Sequence, residues 1–386
     1  MASKIICATL TAILAMPALA EPSPVAVTTS VERHYTSNAL DRSHAVADWY
    51  TLMRGSMQHE FMHEAGTLRF GVEAEARRYD TIGIENDRAA ALKLETTTRL
   101  SPAMELRGAL SYRIASQGDD LLVGPFVIGT RTAKQLLAGE ARLGIDLGGG
   151  TALVLELANS HEGIGATRFQ QRLLEPVKLD PDSNRLVAGA RLMRSQGALT
   201  YGLSGAATRL SVEEPGSPPA GLSLSHYALR LEGAWTDHTA GTIIAALGLE
   251  MLRGADNTYE DLRPAYRAAF TKPLPNGLEL RGALFARFEI TDSDDPLASW
   301  LRRGEIEARL RLSERLVLAA GLFGELKDNL LLENRERAHG AYAEASFEAA
   351  KEVALVLRLD FTDRFLTVLD DRRKTLDGFI GIRTRL

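Results

Sequence analysis

Cysteine is nearly absent: Cys7 is the only one in 386 residues. A disulfide framework and a thiolate metal site are therefore excluded. Long apolar runs are also missing. Beyond Glu21 no stretch approaches the roughly 18 apolar residues of a membrane helix, because Arg, Glu or Gly breaks each run. Charge of one sign is not in excess; the formal net charge is −5, which gives no reason to expect nucleic acid. Aromatic residues are scarce, at 6%. Phosphate-binding loops, G-x-G-x-x-G and H-E-x-x-H are absent beyond Glu21, so no cofactor is expected.

What is present is a period of two. In Leu68-Arg69-Phe70-Gly71-Val72-Glu73-Ala74-Glu75-Ala76-Arg77 every second residue is apolar, and Arg, Gly or Glu stands between. The pattern returns at Leu278 to Ile290, Ile306 to Leu312 and Val353 to Phe361. Successive strand residues point to opposite faces, so each segment has an apolar and a charged face.

Residues 1–20 read as a cleavable secretory signal. Lys4 supplies the positive charge, Ile5 to Met16 the short apolar run, and Ala18-Leu19-Ala20 the cleavage site. Residues 21–30 then form a short periplasmic segment, and 31–386 the strand-forming domain.

Eight short, turn-like breaks interrupt the alternation. They are His63-Glu64-Ala65-Gly66, Ser101-Pro102-Ala103, Gly148-Gly149-Gly150, Ser195-Gln196-Gly197, Asp237-His238-Thr239-Ala240, Pro273-Leu274-Pro275-Asn276-Gly277, Ser313-Glu314-Arg315 and Ala350-Lys351-Glu352. Longer polar breaks alternate with them, near 40–47, 81–87, 117–131, 160–183, 212–221, 254–261, 292–299, 327–335 and 366–372. The sequence thus predicts an all-β, antiparallel up-and-down transmembrane barrel of about 18 strands (about 16 to 20), with tight periplasmic turns and longer external loops. The stretch 117–184 threads least well; Val123–Thr130 and Phe169–Leu179 read as extra strands or as arms of inward loops. Trp49, Phe61 and Trp235 fall near strand ends, as an interfacial aromatic belt requires.

The opening segment, His34-Tyr35-Thr36-Ser37-Asn38-Ala39-Leu40-Asp41 followed by Asp48-Trp49-Tyr50, resembles the first hairpin of porin-type outer-membrane β-barrel proteins of Gram-negative bacteria. The alternation extends the resemblance over nearly the whole chain. It implies an outer-membrane location, contact with lipid and lipopolysaccharide, and insertion by the barrel-assembly machinery through the C-terminal strand. That strand ends in Leu386, where the family usually has Phe or Trp. Trimers are common among porins of this size, but no apolar parity here marks a subunit interface.

The charged parity supplies the candidate site. It carries Arg69, Glu73, Glu75 and Arg77, then Lys93 and Glu95, then Arg107 and Arg113, then Glu140 and Arg142. Later come Arg281 and Arg287, then Glu305, Glu307 and Arg309, then Arg358 and Asp360. An Arg facing mid-bilayer hydrocarbon costs roughly 2–4 kcal/mol, so this face must turn to the lumen. A bore enclosed by about 18 strands is too wide for wall side chains to fill, so water is expected inside. The break at 160–183, with Arg168, Arg172, Glu175, Lys178, Asp180 and Asp182, is the candidate constriction loop.

Catalytic and metal sites find no support. His59 and His63 flank a turn. The residues of Ser43-His44 and of Ser225-His226 point to opposite faces of a strand. Asp237-His238 lies at a periplasmic turn. The expectation is a passive channel for small hydrophilic solutes. The alternative is an export or assembly barrel, for polysaccharide or surface lipoproteins, working with a separate periplasmic partner.

Overall fold

The computed structural model describes residues 21–22, 25–42, 45–123, 126–171, 174–213, 221–237, 239–255, 259–291, 298–330, 334–367 and 370–385. The signal segment 1–20, Ser43-His44, Arg172, His238 and Leu386 lie outside them.

Eighteen strands form one closed antiparallel wall. They are β1 (Ala26–Thr36), β2 (Asp48–His63), β3 (Gly66–Tyr79), β4 (Asp87–Ser101), β5 (Met104–Val123) and β6 (Phe126–Gly148). Next come β7 (Thr151–Ile164), β8 (Asp182–Gln196), β9 (Leu199–Glu213), β10 (Gly221–Asp237), β11 (Gly241–Gly254) and β12 (Glu260–Pro273). The last six are β13 (Leu278–Ile290), β14 (Ala298–Arg311), β15 (Leu316–Asn329), β16 (Asn334–Ala350), β17 (Val353–Leu366) and β18 (Asp371–Arg385). Each pairs with its neighbours in sequence, and β18 closes the ring on β1 from Thr28↔Arg385 to Thr36↔Asp377. Closure pairs every strand with both its neighbours, the condition strands must meet to cross lipid, although the β12–β13 ladder covers only Tyr266–Pro273 of β12. No described helix is long and apolar enough to cross a membrane.

The alternation sets the faces. Leu229, Leu231, Leu247 and Leu249 are more than half exposed on the outer surface, as are Leu322 and Ile380. The eight short breaks are the turns at one end of the barrel. At one of them Asn276 and Gly277 take left-handed φ of 62° and 73°, which Asn and Gly tolerate best.

One long break differs from expectation. Residues 117–131 are not a loop: β5 and β6 stay paired from Gln117↔Thr132 to Val123↔Phe126. The hairpin runs past its neighbours, so its outer residues lack the apolar parity that marks a membrane-facing strand. Beyond β7, Arg168–Phe169 pairs with Thr130–Arg131 and adds a short strand to this extension. Strand β1 begins at Ala26, within the segment assigned to the periplasm.

Candidate functional site

The proposed lumen residues share the face opposite the exposed leucines, and opposite charges meet there across adjacent strands and two residues apart on one strand. Arg69 reaches Glu60 at 2.6 Å and Glu95 at 3.4 Å. Lys93 meets Glu73 at 2.7 Å, and Arg54 meets Glu75 at 2.8 Å. Arg77 lies 3.8 Å from Asp87, and Arg107 2.7 Å from Glu105. Arg281 lies between Glu279, at 2.6 Å, and Glu307, at 3.8 Å. Arg303 meets Glu305 at 3.0 Å; Arg358 meets Asp360 at 2.8 Å and Glu344 at 3.3 Å. Glu140, Arg142, Arg113 and Arg309 continue the face by register, opposite Ala109, Glu156, Ala91 and Glu279. Arg287 lies 5.1 Å from the Phe285 ring. Such partly exposed pairs each contribute about 0–1 kcal/mol, so their main effect is to fix a polar wall.

Several described residues of the 160–183 break are tied to the wall or to one another. Arg168 belongs to the added strand, and Glu175 is exposed. Lys178 and Asp182 form an ion pair at 2.6 Å. Asp182 also accepts the Ile164 N–H at 2.7 Å, which anchors the loop's return to β8. Asp180 lies between them, half-buried.

Nearby rim loops interlock. Asp48 accepts the N–H groups of Thr81 and Ile82 at 3.1 and 2.8 Å. Arg131 donates to the Asn86 carbonyl at 2.7 Å, and Arg42 pairs with Asp120. Glu85, Asp119 and Asp120 bring their carboxylate oxygens within 4.8 Å of one another. Burial, helped by Asp119 and Asp87, pushes the Glu85 carboxyl up to about 7.

A second arrangement has a sequence signal that simple alternation passes over. Strand β9 changes its apolar parity: Leu199, Tyr201 and Leu203 face out, whereas Leu210 and Val212 face in. Leu224 of β10 and Leu252 of β11 join them on the inner face, all almost fully buried. Their cover comes from β13 and β14. Pairing between β12 and β13 stops at Tyr266↔Ala286. Beyond that rung Phe288, Ile290, Ala298 and Trp300 pack into one cluster with Leu210, Val212, Leu224 and Leu252. Lower in the same two strands this parity faces outward, with Leu284 and Ile306 about half exposed. The distal ends of β13 and β14, Phe288–Ile290 and Ala298–Trp300, therefore lie inside the barrel, against the inner wall of β9–β12.

Polar contacts pin it there. Glu250 of β11, fully buried, accepts the Phe288 N–H at 2.7 Å. It also pairs with Arg230, and His226 lies at 3.2 Å. The unpaired edge of β13 thus gives a backbone donor to a charge, a bond stronger than one between neutral groups. The Arg263 guanidinium lies 5.8 Å from the Phe288 ring centre and 5.3 Å from that of Trp300. The two rings meet edge to face at 4.8 Å.

Solved structures match this shape. The copper transporter OprC superposes with a TM-score of 0.58 at 10% identity, covering 95% of this chain and 81% of that one. The ferric citrate transporter FecA, in its unliganded form, gives 0.53 at 11%, covering 90% of this chain and 61% of that one. A variant of the ferric enterobactin receptor PfeA of Pseudomonas aeruginosa gives 0.52 at 8%, covering 94% and 80%. The chain has the fold of an outer-membrane β-barrel. No protein-family model matches the sequence, and no curated protein matches it. At these identities the likeness is one of fold, and the neighbours named are transporters or receptors.

Proposed function

We propose that the protein is a channel of the bacterial outer membrane that passes small hydrophilic solutes through a charge-lined lumen. The observation that carries this reading is the inner wall: Arg pairs with Glu or Asp on β1–β3, on β13–β14, on β17 and at the β18–β1 seam, and large apolar side chains stand on the opposite face. A wall of this kind holds water and offers fixed charge of both signs to a passing solute. In this reading residues 1–20 direct export, the C-terminal strand engages the assembly machinery, and the outer face meets lipid and lipopolysaccharide. No catalytic role is assigned.

A second reading is selective uptake of a bound ligand. The inward hairpin favours it, because it takes up bore that a simple pore would leave open, and the named neighbours are transporters and receptors. Conductance of the refolded protein in a planar bilayer separates the two. Stable open steps without added ligand support the channel. A barrel permanently closed without ligand removes the channel, and favours uptake or the export and assembly alternative.

A further inference from the structure

The distal β13–β14 hairpin fits two places. Inside, it covers Leu210, Leu224 and Leu252 and gives Glu250 a donor. In the wall, the register that ends at Tyr266↔Ala286 extends without a break. Pro264 would then face Phe288, Arg263 would face Glu289, and Leu262 would face Ile290. Leu262 is already exposed on the outer surface. In that place Phe288, Ile290 and Trp300 continue the lipid-facing parity of Leu284 and Ile306. Arg263 and Glu289, both on the inner parity, would meet as opposite charges. Glu289 now pairs with Lys327 at 3.3 Å, and Arg263 with Asp261 at 2.8 Å.

The boundary between the two places is built from small residues and a proline. Ala265 and Ala286 are almost fully buried where the strands part. The Phe288 N–H points away from β14, since it reaches Glu250. In the wall it would meet the Pro264 carbonyl, but Pro264 has no N–H to return. That rung keeps one bond where other residues would make two.

We propose that the described distal ends of β13 and β14, Phe288–Ile290 and Ala298–Trp300, form a gate in the barrel wall. It exchanges between its seat on Glu250 and a place zipped onto β12, and so narrows or widens the lumen. The gate rests on the channel reading for its effect on flow, but the movement itself does not.

Two measurements test it. The first makes Trp300 the sole tryptophan (W49F, W235F) in vesicles containing brominated lipid. The seated Trp300 is shielded from lipid and stays unquenched. Pro264→Ala restores the missing donor without removing a seat contact, and quenching appears. The paired substitution Leu224→Asn with Leu252→Asn weakens the seat and acts in the same direction. The second measurement is bilayer conductance with His226→Cys and Phe288→Cys, whose parent rings lie 5.8 Å apart. Oxidation holds the small step, and reduction restores a second step larger by about twofold. Heat-modifiable gel migration confirms that each variant is a folded barrel. Steps unchanged by oxidation, with Trp300 unquenched in every folded variant, overturn the gate. Trp300 quenching in a barrel that never conducts keeps the moving hairpin and overturns the channel.

Discussion

Two seams in the wall each carry a buried glutamate beside a histidine, and they solve the same electrostatic problem differently. At the β18–β1 seam the backbone ladder is complete, and Glu32, only 2% exposed, is matched by side chains alone. His34 lies at 3.0 Å, and Arg54 and Arg383 at 3.3 Å; both arginines are nearly half exposed. At the β12–β13 seam the ladder stops, and Glu250 adds a backbone N–H to Arg230 and His226. A buried carboxylate must be both paired and hydrogen-bonded. Where the wall closes, water-exposed cations supply this. Where it parts, the carboxylate also stands in for the missing strand.

If that contrast holds, Glu250→Ala should be the most damaging of the paired substitutions, at about 3–5 kcal/mol, because it leaves the partly buried Arg230 and the Phe288 edge N–H without their acceptor. Glu32→Ala should cost less, about 1–3 kcal/mol, since its arginines reach water. Urea unfolding of the refolded barrel, followed by gel migration, measures both; equal costs would erase the distinction between the seams. The next contrast is between faces of one strand. Leu252→Ala opens a cavity under the hairpin and should cost about 2–5 kcal/mol. Leu249→Ala, on the outer face, loses contact with lipid only and should cost about 1 kcal/mol or less.

The smallest effect concerns the rim. The folded state holds the Glu85 proton more tightly than an ordinary carboxyl does. Its contribution is therefore present below the ordinary carboxylate range and is lost as pH rises through about 7. Limited proteolysis in the 80–86 loop should be faster at pH 8 than at pH 5, with a protease active at both. Glu85→Gln should remove the difference.

The barrel was legible because each strand buries or exposes one parity in turn, and because Gly, Pro and Asn mark the tight turns. The 18 strands and eight short turns follow from those two signals. The 117–131 extension was legible only in part: Val123–Thr130 reads as an extra strand or an inward arm. Gln117-Gly118-Asp119-Asp120 has lost the apolar parity, yet the backbone keeps pairing. The inward hairpin escaped for the opposite reason. Phe288 and Trp300 keep the lipid-facing parity, so their own strands read as ordinary wall. The trace lay elsewhere, in Leu210, Val212, Leu224 and Leu252 on a face that should be polar. The charged face itself was readable residue by residue, while its partners came only with the register, as for Glu60 beside Arg69 and Asp87 beside Arg77.

The covered inner wall is tested most directly by single cysteines in a chain without Cys7, treated with a membrane-impermeant thiol reagent that enters the lumen. Cysteines at Leu252 and Leu210 should stay unmodified, while one at Ala206, on the same inner parity but outside the buried cluster, reacts. Ready modification at all three positions would show the inner wall bare and contradict an inward-folded hairpin.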